Sequence, residues 1–143
     1  MIYRSPTPDV AIPEVALHEY LFERVDEWAE KPALIDGPSG RTLTYTQLRG
    51  AVARVATGLA SRGFGKGDVF GIYSPNLPEY AVAFFGVTTA GGVATTINPL
   101  YTTRELAPQL RDSGARFLLT IPQFLDTAKA AAQESAVEEV FVF

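Results

Sequence analysis

The chain has 143 residues, 12 basic and 16 acidic side chains, a formal net charge of −4 and no cysteine. This length suits about one domain, and the acidic balance, spread without runs of like charge, argues against binding to nucleic acid or to an anionic membrane surface. The absence of thiols excludes a disulfide framework, a cysteine-ligated zinc site and a thiol nucleophile.

The amino-terminal segment, residues 1–14, is predicted to be an extended arm. Residues 5–13 contain three prolines and show no helical or strand periodicity. No apolar signal core precedes the acidic and proline residues of this segment. Together with the absence of cysteine, this predicts a cytoplasmic protein.

Residues 15–67 are predicted to form a helix, a hairpin and a second helix. Apolar residues recur at helical spacing over residues 15–30, which predicts an amphipathic helix. They are Leu17, Leu21, Val25 and Trp28. His18, the only histidine, has no nucleophile or second ligand near it in the sequence. We therefore interpret it as a surface residue and not as a catalytic one.

Two short apolar segments, residues 33–36 and 42–45, flank the turn sequence GPSG and predict a β-hairpin. Thr44 and Gln47 have the spacing of a capping box, which predicts the start of the second helix. The apolar stripe of this helix is Leu48, Val52, Val55 and Leu59. Its arginines, Arg49, Arg54 and Arg62, lie off that stripe. We interpret them as a solvated face and not as a phosphate site.

The segment GFGKGD, residues 63–68, is the only one that could suggest a phosphate-binding loop. Such a loop leaves a strand and opens a helix, whose N-terminal N–H groups then face the phosphate. This segment instead leaves a predicted helix and enters a predicted strand at residues 69–73. We therefore interpret its glycines as a helix C-cap and a tight turn.

The most informative stretch, residues 74–106, reads SPNLPEYAVAFFGVTTAGGVATTINPLYTTREL. Its 24 residues from Tyr80 to Thr103 include no charged residue and no histidine. A membrane-spanning helix needs about 20 predominantly apolar residues, whereas this run is broken by two adjacent glycines and contains six threonines. We therefore predict burial within a domain and no membrane span.

This stretch divides into a helix and a strand. Asn76 as N-cap, Pro78 in the first turn and Glu79 three residues after the cap predict the helix start. The two glycines at positions 91 and 92 predict its end, and Gly86 allows a close neighbour. Residues 93–97 are β-branched and apolar on both faces, which predicts a central strand of a parallel sheet.

After the central stretch, helices and strands continue to alternate. Thr102 and Glu105 predict a further capping box, and Gly114 predicts the end of the helix that it opens. Residues 116–120 are predicted as a strand, a helix follows from Pro122, and residues 137–143 are predicted as a strand. The chain ends within that apolar strand, which predicts a boundary inside a longer sequence.

Three segments of this region also carry a family resemblance: SPNLPEY at residues 74–80, AGG at 90–92 and NPLYTTREL at 98–106. Together they resemble the early region of the adenylate-forming acid–CoA ligases of the AMP-binding superfamily, most of all the 4-coumarate–CoA ligase type. Enzymes of this family activate a carboxylic acid with ATP to an acyl-adenylate and then transfer the acyl group to coenzyme A. The resemblance runs from about residue 5 to residue 143 but covers only the opening part of a much longer enzyme.

The resemblance implies ATP, Mg²⁺ and coenzyme A for the parent enzyme, and four motifs further along its sequence. These are a Ser/Thr/Gly-rich phosphate loop ending in Pro-Lys-Gly, a Tyr-Gly-x-Thr-Glu segment, an aspartate for the ribose and a lysine on a mobile carboxy-terminal domain. None occurs here, and Lys31, Lys66 and Lys129 do not follow a Ser/Thr/Gly run. We therefore assign no catalytic, cofactor-binding or metal-binding residue to this chain. The acid, whether 4-coumarate, another aryl acid or a fatty acid, is left open.

The order of elements from Val69 onward predicts an α/β fold. Four parallel strands should form a sheet with right-handed crossovers and helices on both faces over residues 68–143, preceded by a helix and a small hairpin. Ligands of such sheets lie beyond the carboxyl ends of the strands. The turns at that edge are residues 74–78, 98–102 and 120–123, and their Pro, Asn, Ser and Thr content fits turn and capping chemistry.

Two functional classes remain open. The first is the amino-terminal part of an acid–CoA ligase, structural and inactive alone, whose partner is the remainder of the ligase chain. If this remainder normally covers one side of the sheet, the chain alone should expose an apolar patch there, which favours self-association through the strand ending at Phe143. The second is a naturally short binding or regulatory module on the same scaffold, and the length of the reading frame beyond Phe143 distinguishes the two. An oxidoreductase is a distant third, because no G-x-G-x-x-G follows a strand.

Overall fold

The computed structural model describes residues 4–143, so the first three residues of the predicted arm lie outside the described part. The helices are α1 (Leu17–Phe22), α2 (Tyr45–Ala60), α3 (Pro78–Thr89), α4 (Thr103–Ser113) and α5 (Leu125–Gln133). The strands are β1 (Pro32–Ile35), β2 (Thr42–Thr44), β3 (Val69–Tyr73), β4 (Val93–Ile97), β5 (Ala115–Thr120) and β6 (Glu139–Val142). Short 3₁₀ turns occupy Val25–Trp28 and Pro122–Phe124.

The architecture confirms the predicted fold class. Strands β1 and β2 pair antiparallel as a hairpin, and the other four form a parallel sheet in the order β4-β3-β5-β6. The register aligns the carboxyl ends of the strands, because Tyr73 lies opposite both Ile97 and Thr120, and Thr120 lies opposite Val142. The turns that follow these strands therefore share one edge of the sheet.

Each face of the sheet is covered by two helices. On one face, α4 and α5 bury Leu106, Leu110 and Ala128 against Tyr73 and Leu118. On the other face, α2 and α3 bury Leu59, Ala83 and Val87 against β3 and β5. The second face also holds four phenylalanines, and the centroids of neighbouring rings lie 5.4 to 6.3 Å apart: Phe64, Phe70, Phe117 and Phe141. Burying each such ring contributes about 1.5–3 kcal/mol, so this cluster is a major part of the core.

The prediction of one amphipathic helix over residues 15–30 is wrong, because the observed helix is much shorter. The structure contains the six-residue helix α1 and a separate 3₁₀ turn, Val25–Trp28. Of the predicted apolar stripe only Val25 is buried, whereas Leu17 is 53% and Trp28 is 38% exposed. Short helices in water depend on tertiary packing of their apolar face, and the described residues supply little of that packing here.

The central position predicted for residues 93–97 is also wrong. They form a strand, as predicted, but β4 lies at the edge of the sheet, and Val93 is 54% exposed. The chain passes from β4 through α4 to the far side of β3, where β5 pairs, so β4 keeps one neighbour. An apolar, uncharged composition does not distinguish a central strand from an edge strand that a helix partly covers.

Predicted helix starts are confirmed at α2 and corrected at α3. At α2, the Gln47 N–H donates to the Thr44 hydroxyl at 3.2 Å and the Thr44 N–H donates to the Gln47 side chain at 2.9 Å. At α3 the N-cap is Leu77 and not Asn76, and no side chain caps the helix. Glu79, predicted to complete that cap, forms an ion pair with Arg41 instead.

The loop at residues 63–68 is the helix-to-strand turn that the sequence predicts. Gly63 and Gly67 have φ angles of +71° and +92°, a region that favours glycine. Arg116, at the amino end of β5, donates to the Gly63 carbonyl at 2.9 Å and to the Asp68 carboxylate at 3.2 Å. The loop is thereby fixed to the amino edge of the sheet.

Candidate functional site

The best candidate site is an open groove at the carboxyl edge of β3 and β4. Its volume is about 490 Å³. It is lined by Ser74, Pro75, Asn76, Tyr80, Thr96, Ile97, Asn98 and Pro99. The structure therefore brings together two of the three predicted turns, residues 74–78 and 98–102. The third, residues 120–123, follows β5 on the other side of β3.

Polar groups around the groove hold its turns in shape. The Ser74 hydroxyl, on a residue only 2% exposed, donates to the Pro75 carbonyl at 2.9 Å. The Asn98 side-chain oxygen accepts from the Leu100 N–H at 3.0 Å, as turn-forming asparagines do. The Tyr73 hydroxyl donates to the Tyr101 carbonyl at 2.6 Å and so ties the end of β3 to the second turn.

Tyr73 and Tyr80, two of the tyrosines at this edge, stay protonated near neutral pH. Burial raises the pKa of Tyr73 above its ordinary value of 10.0, and the charge of Glu105 raises it further. Burial likewise raises the pKa of Tyr80, and a hydrogen bond with Thr96 opposes that shift in part. Neither phenol is therefore suited to act as a general base at neutral pH.

The helix starts at this edge are not suited to bind phosphate. A helix N-terminus attracts anions through its free N–H groups and its dipole. At α3, Pro78 has no N–H and the Glu79 carboxylate lies in the first turn. At α4, the Glu105 carboxylate accepts from the Thr102 N–H at 3.0 Å and from the Thr102 hydroxyl at 2.8 Å. A negative charge of the chain itself thus lies at each helix start.

Hydrogen bonds also keep these two carboxylates ionised. Arg41 lowers the pKa of Glu79 below its usual 4.5 through a charge-assisted hydrogen bond, against a smaller effect of burial. The backbone and hydroxyl of Thr102 lower the pKa of Glu105 in the same direction. Both side chains therefore remain anionic well below neutral pH and would repel a triphosphate.

The lysines lie away from the groove. Lys31 precedes the hairpin, Lys66 lies in the loop at the amino edge of the sheet, and Lys129 lies on α5. Among residues 4–143, no three His, Asp or Glu side chains cluster closely enough to hold a metal ion. The residues around the groove consequently do not fit ATP with Mg²⁺, the cofactors that the resemblance implies for the parent enzyme.

One feature that sequence reasoning missed is Thr120, at the carboxyl end of β5. It is fully buried, and within the described part of the chain its hydroxyl has no hydrogen-bond partner. A threonine in a strand is ordinary by composition, so no sequence signal indicated this.

No helix among the described residues is long and apolar enough to cross a membrane.

Residues 4–143 define an α/β sheet domain with an open polar groove and, within that range, no phosphate-binding loop. The family model described as AMP-binding enzyme matches residues 21–142, and the chain belongs to that family. The chain is similar to 4-coumarate–CoA ligase 3 of Arabidopsis thaliana, with 42% identity over 129 residues, 90% of this chain and 23% of the relative.

Solved structures show the same relationship. A long-chain-fatty-acid-CoA ligase from Archaeoglobus fulgidus superposes with a TM-score of 0.87 and 25% identity, over 99% of this chain and 30% of that one. An anthranilate CoA ligase in complex with anthranoyl-AMP gives a TM-score of 0.82 and 26% identity, over 88% of this chain and 24% of that one. The chain thus spans about a quarter of the length of these proteins.

Proposed function

We propose that this chain is the amino-terminal part of an ATP-dependent carboxylic acid–CoA ligase, and that the chain alone is structural and does not activate acids. The whole enzyme would convert an acid and ATP to an acyl-adenylate and pyrophosphate, and then exchange AMP for coenzyme A. The observation that carries the proposal is the extent of the matches. They cover 90% of this chain but 23% of the first relative.

The site geometry supports inactivity of the chain alone. Adenylyl transfer depends on N–H groups and cations around the phosphates, together with a metal held by carboxylates. At the carboxyl edge of this sheet, the helix starts are occupied by Glu79 and Glu105, and the groove between them is lined by uncharged residues. The phosphates, Mg²⁺ and coenzyme A would therefore be bound by the rest of the enzyme.

The proposed parent enzyme acts on 4-coumarate or a related aryl or fatty acid. The similar proteins are named as ligases of 4-coumarate, anthranilate and long-chain fatty acids, which supports an acid with an apolar body.

The remainder of the ligase chain is the proposed partner, and the cytoplasm is the proposed location. Within this part, we propose an arm at residues 1–14, a helix–hairpin–helix unit at 15–67 and the β/α units at 68–143.

ATP–pyrophosphate exchange on the purified 143-residue chain tests the proposal. A panel of aryl and fatty acids would be assayed beside a full-length 4-coumarate–CoA ligase as positive control. We expect acid-dependent exchange from the full-length enzyme and only background from the chain. Acid-dependent exchange by the chain alone would overturn the proposal and would direct attention to the groove at residues 74–78 and 98–102.

A further inference from the structure

The acidic side chains of the chain are concentrated towards its amino end. Residues 9–36 contain eight acidic and two basic side chains, whereas residues 37–143 contain eight acidic and nine basic ones. Every acidic side chain within residues 14–30 is exposed. The net negative charge of the chain therefore belongs to this segment, and such a segment attracts a cationic partner.

A small pocket with aromatic walls lies where this segment meets the start of α2. Its volume is about 240 Å³, which is below the roughly 300–1,000 Å³ of sites for drug-sized ligands. The lining includes Tyr20, Glu23, Arg24, Trp28 and Tyr45. The centres of the Trp28 and Tyr45 rings lie 5.9 Å apart, and the rings are inclined at 60°. The pocket therefore suits a single side chain better than a cofactor.

One cation already lies against the aromatic wall of this pocket, and it belongs to the chain itself. The guanidinium carbon of Arg24 lies over the Trp28 ring, 5.3 Å from its centre. At this distance the face of a tryptophan ring attracts a cation. The same guanidinium donates to the Glu27 carboxylate, with 2.8 Å between Nε and Oε1. The chain thus shows that a guanidinium group fits on this wall.

Glu23 adds a carboxylate to the lining that has no cation of its own. It forms no ion pair with the described residues, whereas Glu27 is paired with Arg24, and Asp26 is paired with Arg49 at 2.9 Å. A carboxylate beside an aromatic face suits an arginine side chain, because the planar guanidinium group stacks on the ring and also donates hydrogen bonds in pairs. The chemistry of the pocket therefore selects arginine.

We propose that this pocket binds an arginine side chain of a basic partner peptide, which displaces Arg24 from the Trp28 ring and pairs with Glu23. Lysine fits less well, because its compact ammonium group does not stack as a plane. Leu17 and Leu21 of α1, which are 53% and 36% exposed, offer apolar contact to the rest of the peptide. The proposal goes beyond the ligase assignment and does not depend on it.

Titration of the 143-residue chain with a hexa-arginine peptide, followed by tryptophan fluorescence, tests the proposal. Trp28 is the only tryptophan of the chain, so the signal comes from the pocket itself. Hexalysine carries the same charge and is the control peptide. Low ionic strength is used, because salt screens exposed charges. We expect a saturable change with hexa-arginine and a dissociation constant about threefold higher or more for hexalysine.

Two substitutions in the pocket should change the affinity for hexa-arginine in opposite directions. Glu23→Gln removes the counter-ion and should raise the dissociation constant about threefold. Arg24→Met removes the competing cation from the Trp28 ring and should lower it about threefold. The controls are Asp112→Asn on α4 and Arg54→Met on α2, two exposed positions at which the same changes of charge should leave the dissociation constant unchanged.

Circular dichroism would establish that each variant is folded. The absence of a saturable change in Trp28 fluorescence with hexa-arginine would overturn the proposal and favour the rest of a ligase polypeptide as the cover of Trp28. Equal binding of hexalysine, or equal effects of Glu23→Gln and Asp112→Asn, would show attraction by net charge alone and would also overturn it. So would an Arg24→Met variant that binds no more tightly than Arg54→Met.

Discussion

At the scale of single residues, two helical glycines have opposite roles. A Cβ atom at Gly86 in α3 would lie 2.4 Å from Cγ1 of Val55 in α2, whereas a Cβ at Gly58 in α2 would meet no atom within 4 Å. The close neighbour predicted for Gly86 is thus confirmed, and it is helix α2. Gly86 is required for the contact between the two helices, and Gly58 is not.

Gly86→Ala should therefore destabilise the chain by about 1–3 kcal/mol, because overpacking moves side chains or backbone. Gly58→Ala is the matched control and should stabilise it by about 0.5–1 kcal/mol, because alanine is the better helix former. Urea denaturation followed by circular dichroism measures both changes. Equal effects of the two substitutions would contradict the close approach at Gly86.

The ion pair between Arg41 and Glu79 predicts a pH dependence of stability. Because Arg41 lowers the pKa of Glu79 below 4.5, the folded chain keeps this carboxylate ionised at pH values where the unfolded chain protonates it. The contribution of the pair to the free energy of unfolding is complete above the pKa that Glu79 has in the unfolded chain. It is lost as the pH falls through the pKa that Glu79 has in the folded chain. The free energy of unfolding should therefore decrease as the pH falls below about 4.5.

Arg41→Met should make that decrease less steep, since it removes the group that lowers the Glu79 pKa. Arg54→Met is the control, because Arg54 forms no ion pair with the described residues. Urea denaturation at a series of acidic pH values measures how steeply the free energy of unfolding of each variant changes with pH. The same slope for Arg41→Met as for the unmodified chain would show that the pair does not couple to folding.

Among the secondary-structure elements, sequence patterns predicted correctly those helices and strands whose position depends on local signals. Two such local signals are confirmed. They are the capping box of Thr44 and Gln47 and the alternation of strands with helices after Val69. The short α1 and the edge position of β4 depend on what packs beside them, which periodicity does not report. Asn76 illustrates the same limit, since a cap needs backbone geometry as well as the right side chain.

Thr44→Ala tests the capping box at α2. The substitution removes the hydroxyl that accepts from the Gln47 N–H, and should lower the free energy of unfolding by about 1 kcal/mol. Thr46→Ala, two residues later and exposed, is the control and should change it by less than about 0.5 kcal/mol. Thermal or urea unfolding measures both, and a loss in the control as large as in Thr44→Ala would argue against the cap.

For the whole molecule, the sequence predicted the fold class and the three turns at the carboxyl edge of the sheet, but it assigned no site to them. It did not predict which turns meet, because the strand order β4-β3-β5-β6 is decided by long-range pairing. Leu17, Trp28 and Val142 are exposed on this chain, and the proposed remainder of a ligase is a candidate to cover them. Family membership is established by the match to residues 21–142.

Acid-dependent ATP–pyrophosphate exchange by a chimera tests whether this chain forms the opening part of an acid–CoA ligase. Residues 21–142 of this chain would replace the matching segment of 4-coumarate–CoA ligase 3 from Arabidopsis thaliana, to which the chain is 42% identical. The intact ligase and the same ligase without that segment are the controls. If this chain forms the structural opening part of an acid–CoA ligase, the chimera and the intact ligase will catalyse exchange and the shortened ligase will not. A folded chimera without exchange, or exchange by the shortened ligase, would rule out this role for the chain.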